Sequence, residues 1–200
     1  QKGDYHPEQE QSFAPAICNR LDRNTEGLVL AAKDAATLRE LNRLIRENRI
    51  QKTYLCVLTA TPPKQTDILH AYHWKDAKTN TVTISDRPKA DYREIITEYR
   101  VLQQQNGLCL AEITLHTGRT HQIRAHMAHV SAPLAGDSKY GNRRKNESLH
   151  LKHQLLCAYQ LQFHPEADSC LAYLNGKTVT APLPDFVSRF FPTFSSKNRK

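Results

Sequence analysis

Two short segments of this 200-residue chain hold side chains whose types and spacing can do chemistry. The first is N-R-L-D-R-N-T-E-G-L at 19–28. Asp22 stands between Arg20 and Arg23, and nearby cations favour an ionised carboxylate. Such a group can act as a nucleophile or a base. The same spacing also describes a loop aspartate in an ordinary ion pair. The second segment is T-G-R-T-H-Q-I-R-A-H at 117–126. A strand is expected to end there, with Gly118 making a tight turn and Thr120 capping a helix. Arg119 would then lie at the helix N-terminus, a place that suits an anion. It would be within reach of a phosphate or of a catalytic carboxylate. His121 and Arg124 fall on the first turns of the same helix. Tyr54, in Lys52-Thr53-Tyr54-Leu55, opens a strand, where a core position is the plain reading. His121 and His126 are five apart, and no glutamate lies between His126 and His129. Neither pair fits a zinc-binding helix. No P-loop and no G-x-G-x-x-G is present, so neither a metal nor a nucleotide cofactor is expected.

These residues need elements to position them. Residues 27–32 are apolar and read as a buried strand just after Asp22. Asp34 can cap a helix running to about residue 48, with Leu38, Leu41, Leu44 and Ile45 at helical spacing. Its other face carries Arg39, Arg43, Arg46 and Arg49, either solvated or facing RNA. Residues 53–60 read as a strand ended by Pro62-Pro63. Short strands are expected near 68–73 and 81–85. Residues 95–102 and 108–115 pair through Asn106-Gly107, a hairpin signal. Helical spacing returns at 121–130, 136–147 reads as a basic loop, and 155–163 as a strand. Residues 171–180 read as a second hairpin around Asn175-Gly176. Hairpins dominate and few βαβ units appear, which argues an α+β fold with a mainly antiparallel sheet and flanking helices. Residues 1–16 are a polar lead-in, 17–190 one catalytic domain, and 191–200 a basic tail.

Composition sets the outer bounds. The net charge is +8, most of it in residues 101–200. A basic chain suits a polyanionic partner, because Lys and Arg release counterions from phosphates. No apolar stretch is long enough to span a membrane, and the polar N-terminus shows no signal region. The five cysteines are widely spaced without a C-x-x-C. They read as small buried hydrophobes in a reducing compartment, so a cytoplasmic location is expected.

In combination the segments resemble the RluA type of pseudouridine synthase. That family's H-R-L-D-x-x-T-S-G-L is similar to 19–28 here, and its K-x-Y to Lys52-Thr53-Tyr54. Its G-R-T-H-Q-I-R-x-H is matched by 118–126, and its P-L-x-G-D-x-x-Y-G by 133–141. A later L-H-A is similar to Leu156-Cys157-Ala158. Asn19, Glu26 and Cys157 depart from the family's usual His, Ser and His. The resemblance implies a pseudouridine synthase catalytic fold and an RNA isomerase that needs no cofactor. Asp22 would be the nucleophile, Arg119 its ion partner, and Tyr54 the ring that stacks on the base and helps remove a proton from C5. Leu156 would exclude water beside Asp22.

Substrate-binding roles fall to Arg20, His121 and Arg124, with Leu156 beside them. Arg143, Arg144 and Lys145 are expected to grip phosphates. The expected partner is RNA, with 23S-type ribosomal RNA favoured over transfer RNA, and the target uridine flipped from its stack. Two competing readings are a catalytically degenerate RNA-binding module and a metal-dependent hydrolase using Asp22 and Asp137. Family members carry strands before the aspartate motif, with a segment like N-K-P-x-G, and many also carry an S4-like domain. Neither is in this sequence. The expectation is the C-terminal portion of a longer protein, lacking the N-terminal strands of its sheet and monomeric at full length.

Overall fold

Asp34 starts the first long helix as its position suggests. Its Oδ1 accepts from the Thr37 backbone N–H at 2.7 Å, capping α1 (Ala35–Arg46). In the computed structural model, which describes residues 13–195, that helix follows three two-residue strands, β1 (Ala16–Ile17), β2 (Glu26–Gly27) and β3 (Ala31–Ala32). Expectations for the polar lead-in and basic tail fall on residues 1–12 and 196–200 to that extent outside the described residues.

A long run of strands follows: β4 (Ile50–Leu58), β5 (Thr66–Asp76), β6 (Thr81–Ser85), β7 (Arg93–Gln105) and β8 (Leu108–Leu115). Helices α2 (Gln122–His129) and α3 (Arg143–Ser148) lead to β9 (Leu156–Phe163), β10 (Thr178–Thr180) and α4 (Asp185–Phe190). The main sheet has eight strands in the order β10-β9-β4-β8-β7-β5-β6, with β2 added alongside β9. Every pairing is antiparallel except β2 with β9. The α+β reading with a mainly antiparallel sheet therefore holds. Asn106 and Gly107 both have positive φ, 51° and 69°. A two-residue hairpin turn needs that, because its twist then matches the flanking strands.

The C-terminal half of β4 is buried on both faces, which explains the unbroken apolar run Leu55–Leu58. On one face Cys56 and Leu58 pack with Ile113, Ile123 and Met127, so α2 lies against the sheet. On the other, Leu55 and Val57 pack with Leu110, Phe186 and Phe191. A third cluster seals α1 onto the sheet through Leu41, Leu44, Ile50 and Leu161. Among the described residues no helix is long and apolar enough to cross a membrane.

Three local expectations change. Residues 27–32 form no single buried strand. Gly27, at φ +110°, presses against the backbone of Ala158, and the chain then turns away before β3. The basic loop contains α3, whose N-terminus is capped by the Asn142 side chain. Residues 171–180 are not a hairpin. A 3-10 turn (Ala172–Leu174) leads through Gly176, at φ +73°, and Thr178–Thr180 pairs with β9 instead.

The Gly27 packing is testable. A Cβ there would meet the Ala158 carbonyl oxygen and nitrogen in a backbone conformation that L residues avoid. Gly27→Ala should destabilise the fold by roughly 2–4 kcal/mol from strain and overpacking together. Urea denaturation of the two proteins measures it.

Candidate active site

The loop 19–25 is built to hold Asp22 still. The Asp22 carbonyl accepts from the Thr25 N–H at 2.9 Å, and Asn24 takes a positive φ of 65°. The Gln154 amide, just before β9, donates to the Arg23 carbonyl at 2.6 Å and to Thr25 Oγ1 at 3.1 Å. Asn19 Oδ1 accepts from the Leu30 N–H at 2.7 Å. The Asp22–Thr25 bond closes the loop on itself, Asn19 ties it to the approach to β3, and Gln154 ties it to the approach to β9.

The turn into α2 is held from within. The Gln122 side chain accepts from the Arg119 N–H and the Thr117 hydroxyl, both at 3.0 Å. Its amide donates to the Ile96 carbonyl at 3.2 Å and Thr97 Oγ1 at 3.0 Å. Thr120 does not cap the helix. His121 occupies the cap position in the left-handed region, with φ 51° and no side-chain cap bond. The Thr120 carbonyl meets His73 Nε2 from β5 at 2.9 Å. His121 Nδ1 lies 2.9 Å from the Tyr140 hydroxyl, which also accepts from the Val82 N–H at 2.9 Å.

This start of α2 decides which arginine meets Asp22. Arg119, expected as the partner, lies in the turn before the helix with an exposed side chain. Arg124, inside the first turn, points Nη1 at Asp22 Oδ2, 3.3 Å away. The same guanidinium is gripped by Asp137, with Nε to Oδ2 at 2.6 Å and Nη2 to Oδ1 at 3.1 Å. Asp137 also accepts from the backbone N–H groups of Lys139 at 2.8 Å and Tyr140 at 3.0 Å. Its side chain is fully buried. Burial acts to raise the Asp137 pKa, but the Arg124 hydrogen bond and the two backbone donors outweigh it and hold it low. Burial likewise opposes the Arg124 cation, and Asp137 and Asp22 outweigh that to keep it charged.

Asp22 borders two connected spaces. One is a cleft of about 270 Å³ whose walls include Arg20, Tyr54, Arg119, His121 and Leu156. Burial first, and the Asp22 charge second, push the Tyr54 phenol up to about 12. Tyr54 therefore presents a neutral ring to the cleft. Burial also lowers the His121 pKa, against the pull of Asp22. The second space is a wider groove of about 760 Å³, with Arg20, Arg23, Lys75, Arg124, Lys139 and Lys152 on its walls. Asp22 is the one carboxylate among the residues lining it.

Of the residues singled out in the sequence, Asp22, Tyr54, Arg20, Arg119, His121, Arg124 and Leu156 all line one or other of these spaces. Arg143, Arg144 and Lys145, expected at phosphates, line neither. Arg143 pairs with Glu147 on its own helix at 2.8 Å. Lys145 Nζ donates to the carbonyls of Thr59 and Gly107, so it ties α3 to the ends of β4 and β7. Of the α1 arginines, Arg43 is held by Glu40, Glu47 and Glu166. Lys75 and Lys152 escape sequence reasoning because their motif-free surroundings give no local signal, and Lys139 because it fills a variable position of the 133–141 motif. Asp137 and Tyr140 stand in the 133–141 motif, but nothing in the order of residues shows what they touch. Asp137 has all its oxygens engaged by donors and Arg124 lies between it and Asp22, which disfavours the two-carboxylate metal site.

The family profile described as RNA pseudouridylate synthase matches residues 1–129. An uncharacterized RNA pseudouridine synthase of Chloroflexus aurantiacus is 36% identical, over 85% of this chain and 50% of its own. Ribosomal large subunit pseudouridine synthase C of Buchnera aphidicola is 33% identical, over 86% of this chain and 53% of its own. The chain thus spans about half the length of these curated relatives. The solved structure of human RNA Pseudouridylate Synthase Domain Containing 1 has the same fold. Its TM-score is 0.73 at 22% identity, covering 88% of this chain and 71% of that one.

The Arg124–Asp137 pair makes a stability prediction. Asp137 has a folded pKa below its unfolded value. Its contribution is present above the unfolded carboxylate pKa and is lost as pH falls through the folded one. Asp137→Asn should cost about 3–5 kcal/mol at pH 7, as removing one partner from a buried pair does. It should also flatten the decline in stability below about pH 4. Denaturant melts of both proteins across pH 3–7 check both.

Proposed function

The chain belongs to the RNA pseudouridylate synthase family, RluA type, and from that premise we propose that it isomerises a uridine in RNA to pseudouridine with Asp22 as nucleophile. The observation that carries the reading is the placement of Asp22. It is held by Arg124 at 3.3 Å, where a cleft containing Tyr54 and Leu156 opens into a cationic groove.

The reaction breaks the N1–C1′ bond and joins C1′ to C5. C5 loses a proton and N1 gains one, so atoms balance without a redox partner. Asp22 serves by attacking the sugar or the base, or by abstracting a sugar proton, and the Arg124 guanidinium holds its carboxylate in place at 3.3 Å. The neutral Tyr54 ring supplies a stacking face, and Leu156 an apolar wall beside the carboxylate. Arg20, His121 and Arg119 line the entry. The uridine must leave its stack to reach Asp22. The groove cations Arg23, Lys75, Lys139 and Lys152 suit the flanking phosphates, which position RNA without specifying sequence. Large-subunit ribosomal RNA is the favoured substrate, because relatives are named for the ribosomal large subunit. The free thiols suit a cytoplasmic location.

Asp22→Ala should abolish pseudouridine formation, mapped in ribosomal RNA from cells deleted for the gene and complemented with either form. The variant should still fold and bind RNA; near-normal pseudouridine levels would remove Asp22 from the nucleophile role. For the groove, Arg23→Gln, Lys75→Gln and Lys152→Gln combined should weaken RNA binding. They should lower the slope of log K against log salt by about 0.7–0.9 for each phosphate no longer neutralised. A titration from low to high salt reads that slope.

A further inference from the structure

Lys52 is the charged group in the cleft that the chemistry above does not use. It stands on β4 two residues before Tyr54, so both side chains leave the same face of the strand. Its ammonium reaches along the sheet to the Thr117–Arg119 turn. A Cβ built on Gly118 would lie 3.9 Å from Lys52 Nζ. The lysine is half-buried, and desolvation lowers its pKa. Among the described residues no carboxylate lies within ion-pairing distance of it, and its ammonium makes no hydrogen bond to them. The one carboxylate lining the cleft, Asp22, is held by Arg124. Arg119 lines the same cleft with an exposed guanidinium and likewise has no ion pair among the described residues.

A half-buried ammonium without a counter-charge disfavours the free fold. Lysine keeps its charge on a strongly hydrated point group with three donors, which fits a phosphate oxygen better than a flat apolar surface. Gly118 leaves open the space a side chain would otherwise fill beside Nζ. We propose that Lys52, with Arg119 beside it, forms an anion seat that takes a phosphate of the target nucleotide while Tyr54 and Leu156 take its base. The seat rests on the reading that RNA is the substrate. It adds a charged pairing inside the cleft to the phosphate pairings of the outer groove. It also assigns Lys52 a binding role, distinct from the roles of Asp22 and Arg124.

The test uses a fluorescent single-stranded 12-mer with one uridine among adenosines. In two further versions the phosphodiester on the 5′ or the 3′ side of the uridine is replaced by a neutral methylphosphonate. Wild-type protein should bind the all-phosphate RNA about tenfold more tightly than one of the neutral versions, the size of a charge-assisted hydrogen bond. Which version suffers says which phosphate is seated. Lys52→Met should lose that preference, and Lys52→Arg should keep most of it. Lys52→Met should also melt no lower than wild type, because it removes an uncompensated charge; a merely structural lysine would show the opposite. Equal binding of all three RNAs by wild type overturns the seat while leaving the RNA reading intact. So does a Lys52→Met protein that keeps the preference, or one that loses turnover with binding unchanged. Absence of binding to any of the RNAs sinks the RNA reading and the seat with it.

Discussion

Arg124 is the interaction on which the site depends. It lies between two carboxylates of different kinds: Asp137, fully buried and saturated with donors, and Asp22, at the edge of open space. The buried carboxylate fixes the guanidinium by two hydrogen bonds, leaving one nitrogen for the second acid. A cation fixed in this way costs little to reorganise when charge moves near it, which is what a preorganised site requires. The bond to Asp22 is the longer one, at 3.3 Å against 2.6 Å to Asp137. The arginine is thus anchored by the buried carboxylate and lent to the one at the edge of the cleft.

The sheet supplies the frame for this. Asp22 is carried on a loop that Gln154 pins to the approach to β9 and that β2 continues alongside β9. Arg124 comes from α2, which is buried along residues 122–127 and packed against β4, β7 and β8. The two sides are therefore referenced to one set of strands. Residues distant in sequence by 102 positions meet at hydrogen-bonding range through that common reference.

Legibility in the sequence follows locality. The α1 cap, the Asn106-Gly107 turn and the strands are visible because each depends on residues a few positions apart. Asp22, Tyr54 and the 118–126 segment are readable as a group only through family resemblance, since alone Asp22 is a loop acid between arginines. The choice of Arg124 over Arg119 is not readable. It turns on His121 adopting a positive φ and on Gln122 folding back on the turn, and both depend on tertiary partners. Lys145 misleads for a similar reason: a basic run looks placed to grip phosphates, yet two backbone carbonyls at the ends of distant strands claim its ammonium. Residues 27–32 read as one strand because the apolar run hides that Gly27 ends β2 against the Ala158 backbone.

The Tyr140 hydroxyl has a mechanical meaning. It accepts from the Val82 N–H on the edge strand β6, and it also lies 2.9 Å from His121 Nδ1 in the cleft. The β5–β6 hairpin also carries Lys75 at the groove wall, with Asn80 in its turn. Like the Lys139 ammonium donating to the Asn80 carbonyl at 2.8 Å, the Val82 bond joins this hairpin to the Tyr140 side of the groove. The oxygen at that bond is the one that sets the His121 ring. One phenol oxygen is thus shared between the groove wall and the cleft.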